Sequence, residues 1–247
     1  MIAGVGILTN PRRRQPTPDP PAKTGRHGGL AYALFLPEGE PRGGVVVVHG
    51  AGSCKESHFD FARGARAAGL AAIAFDQRGH GESEGALDHR VVEDVAAIAG
   101  LLPPGPLALR GSSLGGYVAL LAAERLDADA VVAICPAGTE HLLRLQSHRD
   151  QAPDFRLDAP AFEAFLREHD LSLVVPELRT PMLLLHAEGD EQIPVDHSAA
   201  LYGAARMPRK RLIALPGGHH RSIQHDPEMQ GESLRFVEKA FAARREG

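Results

Sequence analysis

The sequence predicts an α/β domain: a doubly wound, mostly parallel sheet with helices on both faces and a small helical cap. Three observations carry this. Short apolar runs lack polar alternation, as strands do when helices cover both faces of a sheet. Helical periodicity recurs between those runs. The 247 residues, 43% of them apolar, suit one domain with a sizeable core and no obvious linker.

The strands are read in order as Leu30–Leu36, Val45–His49, Leu70–Phe75, Leu107–Arg110, Ala130–Cys135, Met182–His186 and Arg211–Leu215. Between them, Phe59–Ala68 reads as helix. Val91, Val95, Ile98 and Leu102 follow at helical spacing behind Asp88, a candidate N-cap. Leu114–Leu126, Asp196–Ala205 and Glu228–Ala243 complete the helical set. Residues 1–29 contain a proline-rich stretch with Arg12, Arg13 and Arg14, and are expected to form an extended arm over the surface. About 45 residues between Cys135 and Met182 break the alternation. Phe162, Phe165, Leu166 and His169 there fall on one helical face. This insertion, about 136–181, is expected to form a small cap above the sheet's carboxyl edge, where loops line ligand crevices.

Composition narrows the function. With 27 basic and 31 acidic side chains, the formal charge of −4 argues against a nucleic-acid or anionic-membrane surface. Two cysteines, Cys54 and Cys135, exclude a disulfide scaffold and suit a reducing compartment. No apolar run approaches a membrane span, and the opening MIAGVGIL is a poor signal peptide, so a cytoplasmic location is expected. No cofactor or metal is expected. GxGxxG does not follow the first strand, and His219, His220 and His225 lack any HExxH or Cys/His framework. Oligomeric state is not legible.

GxSxG occurs twice, around Ser113 (GSSLG) and around Ser83 (GESEG). A nucleophile elbow needs a strand directly before the serine and a helix directly after it. Ser113 has both, LALR and LGGYVALLAAERL, whereas Ser83 lies in the polar run GHGESEGALDHR. Ser113 is the candidate nucleophile and Ser83 a loop residue. A serine hydroxyl needs a base, and the base needs an orienting acid. Two late strands end in suitable loops: AEGDE, offering Glu188, Asp190 and Glu191, and PGGHH, offering His219 and His220. An oxyanion needs two donors. Leu114 N–H supplies one. The small-residue loop His49-Gly50-Ala51-Gly52 supplies the other, with Ala51 favoured over Gly52. Cys54 beside that loop is read as a spectator.

Together HGAGSCKES, FDQRGHGES, GSSLGG, HAEGDEQIP and LPGGHH resemble the α/β-hydrolase family from about Leu30 to the C-terminus, its compact esterase-like and serine-aminopeptidase-like members most of all. The resemblance implies a Ser-Asp-His triad. Asp190 is favoured as the acid because Pro194 follows four residues later. The family pattern Pro-Gly-x-x-His puts the base at His220, with His219 as the alternative. The implied activity is cofactor-independent cleavage of small carboxylic esters. The alternatives are an amidase or aminopeptidase, with Glu163 and Glu168 holding a substrate ammonium, and a non-catalytic binding protein on the same fold.

Overall fold

A computed structural model describes residues 19–147 and 155–246. Eight strands form one sheet: β1 (Lys23–His27), β2 (Leu30–Phe35), β3 (Gly44–Val48), β4 (Ala71–Phe75), β5 (Leu107–Ser112), β6 (Ala130–Ile134), β7 (Met182–Ala187) and β8 (Lys210–Leu215). Their spatial order is β1-β2-β4-β3-β5-β6-β7-β8. From β4 to β8 neighbours run parallel, while β1 and β2 close one edge in antiparallel pairing. The seven apolar runs are thus seven strands, with boundaries shifted by one or two residues.

Strand β1 corrects the expectation of an arm over 1–29. Gly28 and Gly29 both adopt positive φ, which a glycine pair tolerates, and the turn pairs His27 with Leu30 and Lys23 with Leu34. Four of the five β1 residues are exposed, so the strand carries no apolar signal. The Arg12–Arg14 cluster lies outside the described residues.

Among the described residues there are eight α-helices: α1 (Phe59–Ala67), α2 (Val91–Ala99), α3 (Leu114–Arg125), α4 (Thr139–Ser147), α5 (Ala159–Glu168), α6 (Leu171–Val174), α7 (Val195–Ala204) and α8 (Pro227–Glu246). They divide between the two faces, and each face has its own core. Val46, Val48, Leu109, Val131 and Leu184 point to the α2–α3 side. Val45, Val47, Ala108, Val132 and Leu183 point to the α1–α8 side with Phe61 and Phe241. Alternation along a strand therefore sends apolar groups to both faces, which is why the strands read as unbroken apolar runs. Asp88 is not the cap residue of α2. Arg90 occupies that position, and the Asp88 carboxylate accepts the Arg90 N–H at 2.9 Å from two residues upstream.

The described part of the insertion is helical and packs on the body. Phe162, Phe165, Leu166, Leu171 and Val175 join the α2–α3 core, and Tyr117 on α3 donates to the His169 carbonyl at 2.7 Å. Arg156 exchanges main-chain hydrogen bonds with the loop after β4, at Gly79 and Leu87, and the Phe155 ring stacks on His80. The insertion thus covers loops at the sheet's carboxyl edge. Among the described residues no helix is long and apolar enough to cross a membrane.

The turn from β5 to α3 sets the tightest steric demand. A Cβ on Gly111 would lie 2.0 Å from the Gly115 carbonyl oxygen, and a Cβ on Gly115 would lie 2.1 Å from that of Val48. Gly203, on α7, has nothing within 4 Å. Gly115→Ala is expected to lower unfolding free energy by about 3 kcal/mol, since neither backbone oxygen can yield cheaply. Gly203→Ala is expected to raise it by roughly 0.5 kcal/mol through helix propensity. Urea midpoints of the two variants check both signs.

Candidate active site

Ser113 sits between β5 and α3 with φ 53° and ψ −118°, a conformation that non-glycine residues rarely adopt. Its backbone is held at both ends. Its N–H donates to the Ile134 carbonyl, and its carbonyl accepts from Tyr117 and Ala137. The elbow is therefore pinned to β6 and to the first turn of α3. Leu114 opens that helix. Among the described residues no protein acceptor takes the N–H of Leu114 or of Ala51. Both amides are available as donors, and Ala51 lines the same pocket as Ser113.

The loop carrying Ala51 is positioned by a buried histidine. His49 Nε2 accepts the Gln77 N–H at 2.9 Å, so Nδ1 carries the proton and donates to the Gly50 carbonyl at 2.7 Å. Burial pushes the His49 pKa down and keeps the ring neutral, outweighing the opposing pull of the Gly50 carbonyl and Asp76. Gln77 returns a hydrogen bond to the His49 carbonyl. The second GxSxG has a different fate. Ser83 is buried, donates its hydroxyl to the Asp76 carbonyl and accepts the Ala31 N–H at 2.9 Å. Its hydroxyl staples the loop after β4 to β2.

The loops after β7 and β8 converge. His220 Nδ1 lies 2.7 Å from Asp190 Oδ2, and both side chains are almost completely buried. His219, one residue earlier, is exposed, and its main chain is closed into a turn by the Ser222 hydroxyl. Of the three acids considered, Glu188 and Glu191 are exposed. Glu191 accepts the His220 main-chain N–H at 3.2 Å. Burial alone would raise the Asp190 pKa. Hydrogen bonds from His186, His220 and the N–H groups of Ile193 and Gln192 outweigh it and hold the carboxyl well below the usual range.

Two supports of Asp190 escaped sequence reasoning. His186, the fifth residue of β7, is buried with Nε2 3.4 Å from Asp190 Oδ2. It also contacts the Ile193 carbonyl and the Ser198 hydroxyl. Cys135, directly after β6, brings its sulfur within 4.8 Å of both the Asp190 carboxylate and a His220 ring nitrogen. Burial pushes its thiol pKa well up, and the Asp190 charge adds to this. The thiol therefore stays protonated beside that carboxylate. The three donors gather as metal ligands would, but Asp190 and His220 are already bonded to each other. His219, His220 and His225 do not converge: His225 pairs with Asp60 at 2.9 Å. Glu163 is held by Arg167, and neither Glu163 nor Glu168 lines the pocket beside Ser113. Cys54 keeps its sulfur 3.7 Å from the Ser57 hydroxyl.

Ser113 and His220 line one pocket of about 510 Å³, with Gly50, Ala51, Ser53 and Gln192 among its other walls. A serine at a helix N-terminus, two free main-chain donors and an imidazole oriented by a buried carboxylate is an arrangement suited to nucleophilic attack on a carbonyl.

Residues 39–156 match the family model described as serine aminopeptidase, S33. The chain is 26% identical over 208 residues to the uncharacterised protein YfhR of Escherichia coli O157:H7, covering 80% of this chain and 70% of that one. It is 26% identical over 249 residues to a monoacylglycerol lipase of Mycolicibacterium smegmatis, covering 81% and 89%. Mouse α/β hydrolase domain-containing protein 10 superposes with TM-score 0.70 at 21% identity, covering 90% of this chain and 98% of that one. Est1E of Butyrivibrio proteoclasticus superposes with TM-score 0.73 at 18% identity, covering 89% and 98%. The chain has the α/β-hydrolase fold.

Three histidines near this site govern its acid stability. Burial lowers His49, pushes His58 well down and takes His80 to about 3. The unfolded chain protonates each near 6.5, while the folded chain resists. Stability is therefore full above that pH and falls as pH drops below it. Asp190 acts only at lower pH, since its depressed pKa stabilises the fold above the ordinary carboxylate range and is lost below it. Thermal unfolding followed from pH 7.5 to 5 is expected to show a steadily falling Tm. A flat profile would contradict the neutral histidines.

Proposed function

We propose that the chain is a serine hydrolase of small carboxylic esters, working through an acyl-enzyme. The observation that carries this reading is the 2.7 Å contact of His220 Nδ1 with the buried Asp190 carboxylate, in a pocket that Ser113 shares. Ser113 Oγ attacks the acyl carbon while His220 Nε2 takes the hydroxyl proton. Asp190, ionised throughout the neutral range, fixes the proton on Nδ1 and stabilises the imidazolium. The tetrahedral oxyanion is received by the N–H groups of Leu114 and Ala51. As the intermediate collapses, His220 passes the proton to the leaving alkoxide. Water then enters by the same route and releases the acid.

Esters are preferred over amides on two grounds. A relative at 26% identity is named a monoacylglycerol lipase. The acidic pair that would hold an amino-acid ammonium, Glu163 and Glu168, is not at the described pocket. His220 rather than His219 is taken as base because His219 faces solvent.

Turnover of a 4-nitrophenyl ester by four variants tests the reading. Ser113→Ala and His220→Ala are expected to lose several powers of ten in kcat, because the donors and binding then act alone. His219→Ala and Ser83→Ala are expected to keep most turnover, Ser83→Ala at the cost of about 1 kcal/mol of stability from its lost hydrogen bonds. An inactive, folded His219→Ala beside an active His220→Ala would overturn the base assignment.

A further inference from the structure

Resting on the hydrolase reading, we propose that the natural substrate is an ester bearing an anionic group, a carboxylate or a phosphate, and that Arg221 receives it. The residues that line the pocket beside Ser113 are mostly polar in type. Apart from Ala51, its side chains are those of Ser53, Ser57, Ser112, Ser113, Gln192, His220, Arg221, Gln224 and His225, and among the described residues no carboxylate lines it.

Arg221 directly follows His220, so the loop that positions the ring also places this exposed arginine at the wall of the pocket. It has neither an ion pair nor a hydrogen-bond partner among the described residues. The nearby acids are committed elsewhere. Asp190 is bonded to His220 and His186, Glu191 accepts the His220 main-chain N–H, and Asp60 pairs with His225 and Gln230.

A second cation lies behind the same wall. Arg110, on β5 three residues before Ser113, is fully buried. Its Nη2 donates to the Gln224 carbonyl at 3.0 Å, and its guanidinium stacks over Phe61 at 4.0 Å. Its Nε and Nη1 have no hydrogen-bond partner among the described residues, and the Asp60 carboxylate, already bonded to His225 and Gln230, acts on it without forming an ion pair. The two arginines, one at the wall and one behind it, have no paired carboxylate among the described residues and put positive charge beside the pocket in a chain whose net charge is −4. An anion on the substrate supplies the missing partner, and a guanidinium takes carboxylate or phosphate oxygens in a bidentate fork.

Matched esters test this. Mono-4-nitrophenyl succinate is compared with 4-nitrophenyl butyrate, 3-acetoxybenzoate with phenyl acetate, and acetyl-glycerol 3-phosphate with monoacetylglycerol. The first two pairs place a carboxylate on the acyl or the alcohol side, and the third replaces it with phosphate. In at least one pair the anionic ester is expected to show kcat/KM about five-fold higher, through KM, with the advantage shrinking as salt is raised. Arg221→Gln should bring that ratio close to one, and Arg221→Lys should preserve part of it. The ratio cancels any general effect of the substitution on catalysis. Equal use of both members of every pair, or a preference unchanged in Arg221→Gln, overturns the proposal while leaving ester hydrolysis intact. Hydrolysis of none of the six esters overturns the hydrolase reading itself.

Discussion

The close approach of two glycines to backbone oxygens, at the turn between β5 and α3, is the constraint on which the site depends. Gly111 and Gly115 let α3 begin against the ends of β5 and β3, with room for hydrogen and nothing larger. That approach forces Ser113 into its positive φ and lifts its hydroxyl off the sheet. It also leaves the Leu114 N–H at the start of a helix with no protein acceptor. The cost of a strained residue is sustained by hydrogen bonds from β6 and α3 to the Ser113 main chain. The proposed nucleophile and the proposed oxyanion donor are thus consequences of one turn.

The parallel sheet then determines what reaches this turn. Strands β6, β7 and β8 all end on the edge where Ser113 sits, so the loops after them supply Cys135, Asp190 and His220 to one place. The carboxylate is buried yet ionised because several donors meet it, and the ring it holds is buried with it. Around them the polar groups are held by burial: His49 neutral under the Ala51 loop, Ser83 stapled to β2, and Arg110 beneath Gln224. The insertion packs through Phe162, Phe165 and Leu166 onto α3-side core residues, stiffening the loops at the same edge.

Much of this was legible in the sequence. The strands announced themselves because both faces are covered, so every residue of a run is apolar. The choice of Ser113 over Ser83 followed from strand–turn–helix context, and the two late loops from their position after strands. Other parts left no sequence signal. Strand β1 is an exposed edge strand among prolines and charges, so its pairing depends on the Gly28-Gly29 turn rather than on apolar pattern. Neighbours such as His219 and His220 differ only in direction, which is a backbone property. Cys135 and His186 approach Asp190 from other strands, and a contact between strand ends is invisible to local pattern. That Arg221 has no partner, and Arg110 no paired carboxylate, among the described residues is likewise a fact of three dimensions.

The central claim is that the turn at Ser113 activates one serine hydroxyl in the folded chain. Peptide-mapped mass spectrometry after treatment with a fluorophosphonate tests it directly. The account predicts phosphonylation of Ser113 in the folded protein, lost on unfolding and absent in Ser113→Ala. A folded protein that takes no label, or one labelled at Ser83 or Ser112 instead, would contradict it.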